Sequence, residues 1–185
     1  CEMLGLPGVG KSHMADGFRY SKSIASFRLY QRLAFLFRGL FTDPIFFFKL
    51  LVIRVANGSP VRPALVLAER VGIYQSFKDD RVLLDEGILQ FVWRSCCELD
   101  KSPYLYCLVK KFLQNYAINT VYIKCSKNDN IKNILFRKKR QRYDDSVSSG
   151  SFDTFIEGRS TMVFLLRVMK DVSHPVHLSV PSYYV

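Results

Sequence analysis

The stretch Gly5-Leu6-Pro7-Gly8-Val9-Gly10-Lys11-Ser12 decides how the rest of the chain is interpreted. It fits the pattern G-x-x-x-x-G-K-[ST], with Gly5, Gly10, Lys11 and Ser12 at the fixed positions. Its glycines allow the backbone to turn with positive φ and to come close to an anion. The turned N–H groups and the start of a following helix then attract phosphate. The stretch therefore predicts a nucleotide-phosphate loop, and the alternative is a chance glycine turn.

Each part of this loop has an expected role with ATP and Mg²⁺, the predicted cofactors. Lys11 is expected to reach the β- and γ-phosphates as a catalytic residue, and the Ser12 hydroxyl to join the metal shell. The predicted cofactor-binding residues of the loop are Gly5, Gly8, Val9, Gly10, Lys11 and Ser12.

An acidic pair follows a second apolar segment. Arg81-Val82-Leu83-Leu84-Asp85 predicts a short buried strand that ends in an acid. We expect Asp85 to bind Mg²⁺ together with Ser12, and Glu86 to take a proton from an attacking hydroxyl or to orient a water. Gln90 lies one helical turn further and could line the same cleft. The alternative is that the two acids are solvated at the end of a strand.

A basic region lies in the second half of the chain. Residues 124–142 carry eight basic side chains against one acid, Asp129. A cationic lid would stabilise the charge that spreads over a phosphoryl group during transfer. Arginine pairs well with phosphate oxygens, so Arg137 first and then Arg142 are the expected catalytic lid residues, and Arg137 also binds the cofactor. Arg159 is either salt-bridged or directed at a ligand.

Composition sets the broad class of protein. The chain has 185 residues, 49% of them hydrophobic, and a formal net charge of +11. Such a chain fits one domain with a sizeable core, and its basic balance favours anionic partners: nucleotide, phosphorylated substrate, nucleic acid or an anionic membrane surface. Five cysteines without a C-x-x-C pair or zinc spacing indicate reduced thiols in a cytoplasmic protein. Cys1 falls inside the expected first strand, so we expect the chain to be truncated at its N-terminus; nothing in it resembles a signal peptide.

The region between residues 23 and 77 is predicted to be helical. Residues 23–40 show a helical period, and Asp43-Pro44 is typical of the start of a second helix, 44–56, that is apolar nearly all round. A third helix is predicted at 63–77. Charged residues interrupt 33–55, so a buried helix pair, or one that rests against a membrane, is favoured over a transmembrane span. Residues 17–62 carry eight basic side chains against Asp43 alone, which we interpret as a solvated face.

The remaining segments predict alternating helices and strands. Helices are expected at 88–97, from Ser102-Pro103 onward, at 128–142 and at 152–170, and strands at 120–125 and 176–180. Strands separated by helices indicate a parallel sheet covered on both faces. Ligands of such sheets bind at the carboxyl ends of the strands, where the phosphate loop and Asp85-Glu86 fall.

The chain resembles the nucleoside and nucleotide kinase group of P-loop proteins, in particular its thymidylate-kinase-like branch. The segments that carry the resemblance are the phosphate loop, Leu83-Leu84-Asp85, Val121-Tyr122-Ile123 and the region from Arg137 to Arg159. Leu84-Asp85-Glu86-Gly87 with Gln90 is loosely similar to kinase-like ATPases of bacterial surface-polysaccharide gene clusters. The resemblance implies an α/β fold, the P-loop NTPase three-layer α/β/α sandwich with a parallel sheet and a helical lid. Thymidylate-type kinases carry Asp-Arg where this chain has Asp85-Glu86, and their second strand has no counterpart between Tyr20 and Asp80.

The expected function is that of an ATP-binding phosphotransferase acting on a small molecule such as a nucleoside, nucleotide or sugar. Residues 1–185 would form one kinase-like domain, with 23–77 as a helical insertion on the acceptor side and 126–160 as a basic lid region. An anionic group of the acceptor could meet Arg28, Arg32, Arg62 and Arg70. One alternative is a non-kinase P-loop NTPase or nucleotide switch that regulates a partner. Another is a basic membrane- or nucleic-acid-binding module, although no nucleic-acid motif is present.

Overall fold

The structure is a computed structural model, and it describes residues 2–5, 27–77, 87–116, 118, 120–123, 153–173 and 175–179. These residues form strand β1 (Glu2–Leu4), helices α1 (Leu29–Thr42), α2 (Pro44–Ala56), α3 (Arg62–Phe77), α4 (Ile88–Cys96) and α5 (Pro103–Leu113), strand β2 (Thr120–Ile123), helix α6 (Asp153–Asp171) and strand β3 (Val176–Ser179). The strand predicted at 81–85 and the helix predicted at 128–142 lie outside them.

The predicted three-layer α/β/α sandwich is wrong, because the structure is mostly helical. The described helices have nine to 19 residues, whereas the strands have only three or four. Strands this short offer little surface on which two layers of helices could pack. The aromatic-rich segments between residues 29 and 77 form helices that pack on one another instead.

The three described strands pair side by side in the order β1, β2, β3, and all run parallel. Leu4 lies opposite Tyr122, and Ile123 lies opposite Ser179. The strands predicted at Met3-Leu4, 120–125 and 176–180 are therefore confirmed over their described residues.

Short capping patterns fix the starts of three helices. The Asp43 carboxylate accepts a hydrogen bond from the Phe46 N–H at 3.1 Å, as predicted for α2. The Ser102 hydroxyl accepts one from the Leu105 N–H at 3.3 Å at the start of α5. Helix α1 begins at Leu29 rather than at residue 23. Arg28 is its extended N-cap residue, and the Gln31 side chain accepts from the Arg28 N–H at 2.9 Å.

Helices α1 and α3 cross with their backbones almost in contact. A Cβ atom added to Gly39 of α1 would lie 1.8 Å from the carbonyl oxygen of Ala68. A Cβ atom added to Gly72 of α3 would lie 1.9 Å from the carbonyl oxygen of Phe35. Glycine is therefore required at both positions because a side chain would occupy the space of the facing main chain.

Aromatic side chains hold the core together. The Phe46 and Phe112 rings stack with centroids 3.8 Å apart and join α2 to α5. Trp93 is fully buried, and its Nε1–H donates to the carbonyl of Gly158 at 2.8 Å, which joins α4 to α6.

The helix pair at 33–55, expected either to be buried or to rest against a membrane, is only partly buried. Phe46, Phe47 and Leu50 of α2 are buried, but both α1 and α2 keep an apolar face exposed to solvent. The exposed large apolar residues of the two helices are Leu29, Tyr30, Leu33, Phe37, Phe41, Ile45, Phe48, Val52 and Val55.

Candidate nucleotide site

The carboxyl edge of the small sheet is the candidate site. Parallel strands end at the same edge, and this is where ligands of such sheets bind. Gly5, the first fixed residue of the phosphate-loop pattern, follows β1 directly and is buried. Its neighbour Leu4 pairs with Tyr122 of β2. The loop sequence therefore starts at the edge that the sequence analysis expected.

Of the predicted catalytic, cofactor and metal residues, only Gly5 is described. The others lie outside the described residues, and their roles stay predictions: Gly8, Val9, Gly10, Lys11, Ser12, Asp85, Glu86, Arg137 and Arg142. Most of the predicted lid region, 126–160, also lies outside them.

A buried carboxylate fixes β1 to the start of α4. Glu2 is 2% exposed, and its two oxygens accept hydrogen bonds from the N–H groups of Ile88, at 2.6 Å, and Leu89, at 2.9 Å. Gly87 leaves room for this contact, because a Cβ atom there would lie 2.1 Å from the Glu2 Cδ. The strand that leads into the phosphate loop is thus tied to the helix that follows Asp85-Glu86 in sequence.

The Glu2 carboxyl has a raised pKa. Burial favours its neutral form and raises the pKa above the ordinary 4.5, while the two N–H donors and the positive charge of Arg70 act in the opposite direction. The first turn of α4 and its dipole favour a negative charge at this position. Glu2 therefore acts as the N-terminal cap of α4 from a distant strand.

Gln90 lies in the first turn of α4. Its side chain is 1% exposed, and within the described part of the chain its Oε1 is a buried atom without a hydrogen-bond partner. A buried acceptor without a donor has a free-energy cost, which gives this side chain a reason to turn toward a polar ligand. The prediction that it lines the nucleotide cleft stays a prediction.

Arg159 of α6 acts on the central strand of the sheet. Burial raises the pKa of the Tyr122 phenol, and the positive charge of Arg159 opposes this shift. Tyr122 is the residue that pairs with Leu4, next to Gly5. The hydrogen bond from Trp93 to the carbonyl of Gly158 fixes this part of α6.

Two arginines expected on the acceptor side are paired with Glu69: Arg70, which is buried, and Arg32, whose side chain is 46% exposed. Glu69 of α3 accepts from Arg32 Nε at 2.6 Å and from Arg32 Nη2 at 3.1 Å. The Nη1 of Arg70 lies 3.7 Å from the Glu69 Oε1, and its guanidinium lies over the Phe91 ring at 4.8 Å. Both guanidinium groups are engaged by Glu69, whereas Arg28 and Arg62 are exposed.

Sequence reasoning missed three important charged groups. Glu2 could have been noticed as an acid inside an apolar strand before a phosphate loop. Arg54 could have been noticed as a charge in a helix that is apolar nearly all round; it is 1% exposed and donates to the carbonyls of Pro60, Ser95 and Cys97. Glu69 has no sequence signal, since its partner Arg32 lies 37 residues away.

Neither a metal-binding cluster nor a membrane-spanning helix is found within the described residues. No group of three or more His, Cys, Asp or Glu side chains in that part of the chain could hold a metal ion. The predicted metal residues Ser12 and Asp85 are not among those searched. None of the described helices combines the length and the apolar character that crossing a membrane requires.

Comparison with protein-family models, with curated proteins and with solved structures finds no match for this chain.

Proposed function

We propose that this protein binds ATP with Mg²⁺ through residues 5–12 and transfers the γ-phosphate to a small molecule, such as a nucleoside, nucleotide or sugar. The observation that carries the proposal is the place of Gly5. The motif begins directly after a strand of a parallel sheet, at the carboxyl edge where such sheets bind ligands.

The loop residues would bind the triphosphate. The amides of the loop and Lys11 would hold the β- and γ-phosphates, and Ser12 and Asp85 would hold the metal ion. When bound, Mg²⁺ would neutralise charge on the phosphate oxygens. Glu2 supports this arrangement, because it joins the strand before the loop to the helix that follows Asp85-Glu86.

Transfer would need a base and cations. Glu86 would accept the proton of the acceptor hydroxyl. The hydroxyl oxygen of the acceptor would then form a bond to the γ-phosphorus, and the bond from the γ-phosphorus to the β–γ bridging oxygen would break. Arg137 and Arg142 would stabilise the charge on the transferred group. ADP would leave with the bridging oxygen. We place this reaction in the cytoplasm, in keeping with the reduced thiols expected of the chain.

Binding of ATP is tested first, with Lys11→Ala and the matched control Lys111→Ala, an exposed lysine on α5. We expect the Kd for ATP with Mg²⁺, measured by calorimetry, to rise about tenfold to a hundredfold in the first variant only, because a charged hydrogen bond to phosphate is lost. If Lys11→Ala binds ATP as tightly as the unaltered protein, the proposal fails.

Transfer is tested with γ-labelled ATP, Mg²⁺ and a panel of nucleosides, nucleotides and sugars. Label on an acceptor supports the phosphotransferase. Free labelled phosphate without any acceptor product instead supports the second function, a P-loop NTPase or nucleotide switch in which Glu86 orients water.

The contribution of Arg159 is tested in the same assays. We expect Arg159→Ala to weaken nucleotide binding, because its charge acts on Tyr122, the residue that pairs with Leu4 just before the loop. Arg167→Ala, an exposed arginine on the same helix, is the control. Equal Kd values for the two variants would assign Arg159 a purely structural role.

A further inference from the structure

Helices α1 and α2 each carry an exposed apolar stripe. In α1 the stripe consists of Leu29, Leu33, Phe37 and Phe41, which are spaced four residues apart and so lie on one side of the helix. In α2 it consists of Ile45, Phe48, Val52 and Val55, spaced three or four apart. Phe41 is 79% exposed and Phe48 is 71% exposed, which is unusual for side chains of this size. We name the two stripes together the α1–α2 surface.

The charges on these helices are all of one sign. Four exposed basic residues belong to this region: Arg28 just before α1, Arg38 on α1, Lys49 on α2 and Arg62, the first residue of α3. Neither helix contains an Asp or a Glu. The single acid between them, Asp43, caps α2. The α1–α2 surface is therefore apolar with a cationic surround.

We propose that the α1–α2 surface docks on an anionic lipid bilayer. Amphipathic helices with aromatic and aliphatic side chains on one face and Lys or Arg around them bind in the plane of the membrane interface. Basic residues near the surface are attracted to anionic headgroups, each contributing measurably to binding. The exposed phenylalanines would insert below the headgroups. The basic side chains would lie among the headgroups, and these are Arg28, Lys49 and Arg62. This inference does not rest on the proposed nucleotide chemistry.

Charge and length favour this occupant over others. A second copy of the same surface would bring like charges together, which opposes self-association. Helix α2 has 13 residues and is about 20 Å long, shorter than the ~30 Å hydrocarbon core, so it fits along the interface rather than across it.

The test uses the whole chain and sedimentation with two kinds of vesicle, phosphatidylcholine alone and phosphatidylcholine with about one third phosphatidylserine. We expect binding to the anionic vesicles and little to the neutral ones, with a decrease when salt is added. Phe41→Ser with Phe48→Ser should lower the partition coefficient about tenfold or more, because two large side chains no longer leave water. Lys49→Gln and Arg28→Gln should each lower it about fivefold.

The control is a pair of exposed apolar residues on another helix, Ile156 at 55% and Val163 at 51% exposure. Ile156→Ser with Val163→Ser on α6 should leave vesicle binding unchanged. The result that overturns the inference is equal binding to both vesicles, binding to neither, or an equal loss in the control pair. A concentration-dependent dimer that disappears in Phe41→Ser with Phe48→Ser, measured by analytical ultracentrifugation, would identify a second copy as the occupant and also overturn it. Calorimetry with ATP on the same samples keeps this result separate from the nucleotide proposal.

Discussion

The crossing of α1 and α3 leads to a stability prediction that can be worked from distances. The perturbation is Gly72→Ala. The new Cβ atom would lie 1.9 Å from the carbonyl oxygen of Phe35, far inside an ordinary contact. Relief needs the two helices to separate by about 1.5 Å, because the obstacle is main chain and cannot rotate away as a side chain could.

Two opposing effects set the magnitude. Alanine is favoured over glycine inside a helix by about 1 kcal/mol. Overpacking a close contact costs about 1 to 3 kcal/mol, and the main-chain obstacle places this site at the upper end. We therefore expect Gly72→Ala to lower the free energy of unfolding by about 2 kcal/mol. Gly39→Ala should cost a similar amount, since its Cβ would lie 1.8 Å from the carbonyl oxygen of Ala68. The double variant should lose less than the sum, because one separation of the helices makes room for both methyl groups.

Urea unfolding followed by circular dichroism measures these changes as a shift in the midpoint at constant slope. The control is Gly58→Ala, where the added Cβ meets nothing within 4 Å and only the positive φ of 63° is unfavourable, at about 1 to 2 kcal/mol. Strict additivity at positions 39 and 72, or a Gly72→Ala protein as stable as the unaltered one, would refute the reasoning about the crossing.

Three further predictions concern buried polar groups. Burial raises the folded-state pKa of Glu2 above 4.5, so its contribution to stability is present below pH 4.5 and is lost as the pH rises through the folded pKa. Urea unfolding from pH 4 to 8 should show this loss in the unaltered protein but not in Glu2→Gln. A difference in unfolding free energy between the two proteins that does not change with pH would contradict the prediction. Arg54→Met should lower the free energy of unfolding by about 3 kcal/mol, because buried backbone carbonyls lose their donor. The control Arg62→Met, at an exposed position, should change it by less than about 0.5 kcal/mol. Similar urea midpoints for the two variants would refute this role of Arg54. Tyr116→Phe should leave thermal stability unchanged or raise it slightly, since the hydroxyl is buried without a partner among the described residues, and a clear drop in Tm would reveal a bond to that hydroxyl.

Local sequence patterns predicted the helix boundaries well wherever the capping group lies next to the helix it caps. Asp43-Pro44 and Ser102-Pro103 each combine a side-chain acceptor with a proline whose missing N–H is not needed, and both helices begin there. The start of α1 was placed too early because residues 23–28 continue the helical period. Helix α1 begins at Leu29, and the side chain of its third residue, Gln31, accepts a hydrogen bond from the N–H of Arg28.

The layered fold was predicted wrongly for a different reason. Alternation of helical and extended patterns indicates the order of elements, but it fixes neither the length of the strands nor the surfaces against which the helices pack. The spacing of apolar residues at 29–56 is equally consistent with burial in a core and with exposure at an interface. Only the structure shows that Phe46 and Phe47 face inward while Phe41 and Phe48 face out.

Of the predicted site residues, only Gly5 at the start of the loop motif can be compared with the structure. The loop motif is contiguous, and Gly5 lies at the sheet edge as expected. The Glu2 carboxylate ties β1 to α4 by accepting hydrogen bonds from Ile88 and Leu89, which lie 86 and 87 positions further along the chain. A single sequence carries no pairing signal over such a separation.

The same argument explains why a count of charges could not separate the arginines by role. Glu69 is 5% exposed and lies between Arg32 and Arg70, and the charge of Arg70 in turn acts on Glu2. Charges of alternating sign therefore extend from α1 through α3 to β1, and each buried member is compensated by a neighbour, as a low-dielectric interior requires. Arg28 and Arg62 belong to the same basic stretch but have no acid on their own helices' exposed face, so their charge remains available to an anionic surface.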